Sequence, residues 1–90
     1  MQAPAGTSAH TQALFVQKVR ESYDAVNRGD FTTAVQAYSE AIELDPKNHI
    51  LYTNRAAAYA KLQQHHKSLH DARKSRELNP KWAKVRVLAF

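Results

Sequence analysis

The stretch "ELDPK", Glu43 to Lys47, returns almost unchanged as "ELNPK", Glu77 to Lys81, 34 residues further on. The same shift sets Val35 beside Leu69, Ala34 beside Ser68, Ala41 beside Ser75 and Ser22 beside Ala56. Agreement at one fixed period is the signature of a repeat architecture, in which each unit is one supersecondary element that buries its apolar face against its neighbours.

Within each period the pattern reads as two helices. An apolar-spaced segment from about Leu14 to Val26 leads to Gly29, suited to a left-handed helix end, and Asp30 offers an N-cap acceptor for the next helix. From Phe31 to Leu44, the residues Phe31, Val35, Tyr38 and Ile42 recur at helical spacing, and Pro46 marks the stop. Asn48 is the expected N-cap of a third helix from His49 to about Leu62, "QQHH" at 63–66 the turn, and Lys67 to Leu78 the fourth helix, after which "NPKW" opens another. Small residues, Ala34, Ala41, Ala56, Ala57, Ser68 and Ser75, stand where paired helices would approach closely. The expectation is an all-α chain of helical hairpins stacked as a short solenoid: a lead-in at 1–10, a domain over 11–90 with units at about 15–48 and 49–82, and a partial fifth helix at 83–90.

The period, the small residue in each helix, the aromatic in "YSEAIELDP" and the closing proline together resemble the tetratricopeptide repeat (TPR) family over about Phe15 to Lys84. The opening helices depart from that family's pattern, with Lys18 and Glu21 in the first unit and Tyr52 and Arg55 in the second where tryptophan and leucine are usual. "DPKNHILYTNRAAAYAKL" is similar to co-chaperone TPR domains of the Hsp70/Hsp90-organising type. "FVQKVRESYDA", "GDFTTAVQAYSEA", "ILYTNRAAAYAKLQQ" and "LNPKWAK" are similar to the first units of large many-repeat TPR scaffolds. The resemblance implies a non-catalytic adaptor that binds protein or peptide segments, with the acidic C-terminal tail of a chaperone as one candidate partner.

In the co-chaperones a clamp of Lys and Asn side chains with one Arg holds the peptide's carboxylates, because charge-assisted hydrogen bonds discriminate strongly for a terminal carboxylate. Carried over by resemblance, its positions fall on Val19, Tyr23, Asn54, Lys84 and Leu88, of which Asn54 and Lys84 match. At about 1.5 to 3 kcal/mol per hydrogen bond to a charged group, the missing partners imply a loss of orders of magnitude in affinity. Lys18, Arg20 and Arg86 lie one or two residues away, and a one-residue slip turns a helix face by about 100°. The groove-lining candidates are thus Val19, Tyr23, Arg86 and Leu88. The stripe Val16, Val19, Tyr23, Val26 reads first as packing under a neighbouring hairpin and second as an apolar peptide groove.

Other classes find less support. A 90-residue chain without cysteine has neither disulfides nor thiolate metal sites, which suits a reducing, cytoplasmic or nuclear setting. Two glycines leave little scope for a phosphate cradle, and no nucleophile elbow or HExxH occurs, so neither an enzyme nor a cofactor or small-molecule substrate is expected. His66 and His70 have the spacing of two zinc ligands, but no third ligand is evident, so no metal is expected. Charge is uneven: residues 1–60 hold five Lys/Arg against six acids, and 61–90 hold eight against two. That basic third keeps a nucleic-acid-associated protein as the alternative, whereas no apolar run is long enough to span a membrane.

The ending "VRVLAF", 85–90, supports two readings: a short helix laid on the second hairpin, or sequence foreign to the repeat, which would make the chain a fragment of a larger scaffold. Two units fall short of the three or so that make such stacks robust, so weak stability or self-association through the last hairpin is expected.

Overall fold

The computed structural model describes residues 8–80, which fold into α1 (Ala9–Asn27), α2 (Phe31–Leu44), α3 (His49–Lys61) and α4 (His65–Leu78). The expected lead-in at 1–7 and everything from 81 onward, including Trp82, Lys84, Arg86, Leu88 and the partial fifth helix at 83–90, lie outside the described residues. Consecutive helices pack pairwise, α1 on α2, α2 on α3 and α3 on α4, as two hairpins stacked in series. No strand occurs among the described residues.

Local chemistry sets most boundaries where the sequence predicts them. Gly29 adopts φ 75°, a left-handed conformation that glycine reaches without the penalty of a Cβ. Asp30 then caps α2, its carboxylate accepting from the Thr33 N–H at 3.1 Å. Asn48 caps α3 by accepting from the Ile50 N–H, and its amide donates to Asp45 Oδ2, tying down the "DPKN" connection. The Tyr52 hydroxyl closes the same loop by donating to the Pro46 carbonyl.

Two boundaries differ from expectation. Helix α1 begins at Ala9, inside the expected lead-in and about a turn ahead of Leu14, because Ser8 accepts from the Thr11 N–H as an N-cap. Helix α4 begins at His65, so the turn is Leu62 to Gln64 and both histidines of "QQHH" are helical.

The core gathers Phe15 and Ala25 of α1, Ala34, Tyr38, Ala41 and Ile42 of α2, and Leu51, Tyr52 and Ala58 of α3, with Phe31, Val35, Leu44 and Leu78 packed at its margin. The small residues act as expected except Ala57, which faces solvent while its neighbour Ala58 is buried, one residue being about a 100° turn of the helix. In the second hairpin serines replace alanines of the first, and their hydroxyls are satisfied: Ser68 donates to the Ala56 carbonyl at 2.8 Å, and Ser75 shares a 2.6 Å bond with Thr53.

Candidate functional site

The first helices of the two units carry the unusual surface. Val16 is 42% exposed, Tyr23 67% and Val26 37% on α1, and Ile50 is 43% exposed on α3. Val16, Tyr23 and Val26 follow at spacings of seven and three and so share one side of α1. The first reading of this stripe, packing beneath a neighbouring hairpin, therefore describes none of the three within residues 8–80. Val19, the fourth member, turns inward and packs against the core margin. Contiguous apolar surface on a rigid scaffold is one mark of a recognition face, whereas single exposed apolar residues are ordinary.

Asn54 is half-buried on α3, and within the described residues its amide makes no hydrogen bond to another side chain. It thus makes no side-chain bridge to a neighbouring helix there. Of the cations near the clamp positions, Lys18 is committed elsewhere: its Nζ lies 2.8 Å from Glu40 Oε2 on α2 and 3.4 Å from Glu21 Oε2. The Glu40 hydrogen bond raises the Lys18 pKa above its ordinary value, and the same bond holds the Glu40 carboxyl below its own. Arg20 is exposed one residue beyond Val19, about 100° off that side chain's direction.

Directly behind Asn54 lies an arrangement that the sequence reading missed. Arg55 donates from Nε and Nη2 to the two carboxylate oxygens of Asp71, each at 2.7 Å, and from Nη1 to Ser39 Oγ at 3.0 Å. Its guanidinium also lies 5.6 Å from the Tyr52 ring centre and 5.7 Å from that of Tyr59. Asp71 is 1% exposed, so a paired charge joins α2, α3 and α4. The Asp71 hydrogen bonds raise the Arg55 pKa further. The signal was present in the repeat register: Asp71 stands 34 residues after the buried Ala37, an internal position where an acid requires a partner.

Above this pair Arg55, Tyr59, His66, Lys67, His70 and Asp71 line an open cavity of about 320 Å³. Lys67 lies over the Tyr59 ring at 5.7 Å. His66 and His70 share this rim, yet among the described residues no group of three or more His, Cys, Asp or Glu side chains converges on a possible metal position. No described helix is long and apolar enough to cross a membrane.

Comparison with known proteins agrees with the fold. A TPR repeat family model matches residues 25–63. Over 77 residues the chain is 58% identical to mouse tetratricopeptide repeat protein 28, covering 86% of this chain and 3% of that protein. Over 60 residues it is 47% identical to the Arabidopsis thaliana Hsp70-Hsp90 organizing protein 2, covering 67% of this chain and 10% of that one. Among solved structures, the TPR2B domain of yeast Sti1 in a pHsp70 complex superposes with a TM-score of 0.72 at 32% identity, over 76% of this chain and 54% of that one. The chain therefore spans only a small part of the curated relatives it matches.

Proposed function

From a chain built of tetratricopeptide repeats, we propose a non-catalytic protein-binding module that takes an extended peptide segment on the face shared by α1 and α3. The observation that carries this reading is the exposure of Val16, Tyr23, Val26 and Ile50 on the two opening helices. The likeness to organising co-chaperones and to the Sti1 domain supports a peptide as the ligand, and the acidic C-terminal tail of a chaperone is the first probe to try.

Recognition on this face is led by apolar contact. Two clamp positions hold Val19 and Tyr23 in place of a lysine and an asparagine, and Lys18 is tied to Glu40. Asn54 and Lys84 are the donors left to meet a terminal carboxylate. A cytoplasmic setting follows from the same likeness and belongs to this proposal.

The test compares a short peptide of aliphatic residues ending in aspartate, as free acid and as amide, by calorimetric titration. With so few donors left, amidation should weaken binding about tenfold, near the value of one charged hydrogen bond. Tyr23→Ala should cost at least as much. Loss of a thousandfold on amidation, with Tyr23→Ala neutral, would replace this reading with an intact clamp.

A further inference from the structure

The junction between the two hairpins shows what a stacking contact in this chain consists of. Arg55 of α3 donates to Ser39 of α2, and these residues lie in the helical rows Val35, Ser39, Ile42 on α2 and Leu51, Arg55, Ala58 on α3. Ile42, Leu51 and Ala58 are buried, and Val35 packs at the core margin. Moving the α2 row forward by one repeat gives Leu69, Arg73 and Arg76 on α4. Moving the α3 row back by one repeat gives Gln17, Glu21 and Asp24 on α1.

These displaced rows lie on the first and last of the described helices and are open there: Leu69 is 51% exposed, Arg73, Arg76, Gln17 and Asp24 are exposed, and the Glu21 side chain is 43% exposed. Their charges are opposite. The α4 row carries two arginines and the α1 row two carboxylates, and the Ser39 to Arg55 contact translates into Arg73 facing Glu21. Glu21 already accepts from Gln17 at 3.1 Å and from Lys18 at 3.4 Å, but a carboxylate has about four acceptor sites and room for an arginine.

We propose that this chain associates with itself head to tail, the α4 row of one copy receiving the α1 row of a second copy, with Arg73 and Arg76 set against Glu21 and Asp24. Charge also selects among possible occupants of α4. By the same shift the α3 row falls forward on Val85 and Ala89, which carry no acid to meet the two arginines, whereas the α1 row carries two. The contact is heterologous, with different surfaces on the two sides, so it builds open chains instead of a closed dimer. A single helix row on each side makes a small contact, so the association is weak and concentration-dependent. This surface is separate from the proposed peptide face, and either can fail without the other.

Sedimentation velocity of the full chain tests it, at about 50 mM and about 500 mM salt, since exposed charge pairs are screened at the higher value. The weight-average sedimentation coefficient should rise with protein concentration at low salt and lose most of that rise at high salt. Arg73→Glu with Arg76→Glu should abolish association, as should Glu21→Arg with Asp24→Arg. An equimolar mixture of these two variants should restore it, because each then presents the charge the other lacks. Should Arg76→Glu fray α4 by circular dichroism, Arg73→Glu mixed with Glu21→Arg carries the same test. A wild-type chain that stays monomeric at both salts overturns the proposal. So does a mixture that associates no better than its components.

Discussion

At the scale of single residues, Arg55 and Asp71 carry the clearest energetic consequence. A buried carboxylate without its cation is costly, and breaking such a pair typically costs about 3 to 5 kcal/mol. Asp71→Ala should therefore lower stability by about 3 kcal/mol in urea denaturation, leaving Arg55 half-buried without its partner. The double variant Arg55→Leu with Asp71→Ala should recover most of that loss, because a well-packed apolar pair replaces an ion pair at little net cost. Equal instability of the single and double variants would contradict this account of the junction. Lys18 and Glu40 give a pH signature. The Lys18 hydrogen bond holds the Glu40 carboxyl below its ordinary value of 4.5, so its contribution is present above that value and lost as pH falls through the lowered one. Lys18 is raised above 10.5, so its contribution is present below 10.5 and lost as pH rises through the raised value. Glu40→Gln should accordingly flatten part of the acid-side fall in the urea midpoint. The Arg55 pairing was illegible at first reading because one position in isolation shows only a charge where leucine is usual. Its partner, 16 residues on, becomes visible once the repeat places Asp71 at an internal site.

At the scale of elements, the ends of α2 and α3 were legible because Gly29, Asp30 and Asn48 each have one dominant use at a helix boundary. The start of α4 was not, because "QQHH" offers no such residue. In the repeat register Gln63 occupies the place of Gly29 and Gln64 that of Asp30. Gln63 accordingly holds φ 63° with a full side chain, and Gln64 makes no capping bond. The first turn of α4 adds Lys67 and no acid, the unfavourable sign at the positive end of the helix dipole. Gln64→Asp should thus stabilise the chain by about 1 kcal/mol. Gln63→Gly should add roughly half as much, since relief from the left-handed conformation is partly offset by glycine's greater freedom when unfolded. Thermal denaturation checks both, and a fall in midpoint for Gln64→Asp would refute the account of this helix start.

At the scale of the whole molecule, the fold was the most legible property, since a 34-residue period with alternating apolar stripes leaves few architectures open. The binding face was the least. A row of valines and a tyrosine has the same spacing whether it packs under a hairpin or faces solvent, and only the three-dimensional placement separates Val19, turned to the core, from Val16, Tyr23 and Val26 beside it. The two clamp matches fared unevenly: Asn54 stands half-buried on α3 and Lys84 lies outside the described residues. The claim on which the functional account rests is that α1 and α3 together form the peptide face. Its most direct test is amide and side-chain chemical-shift mapping of the full chain during titration with the aliphatic peptide ending in aspartate. The account predicts that the largest changes fall on Val16, Tyr23, Val26, Ile50 and Asn54. Changes confined to α4, with those five residues unmoved, would contradict it.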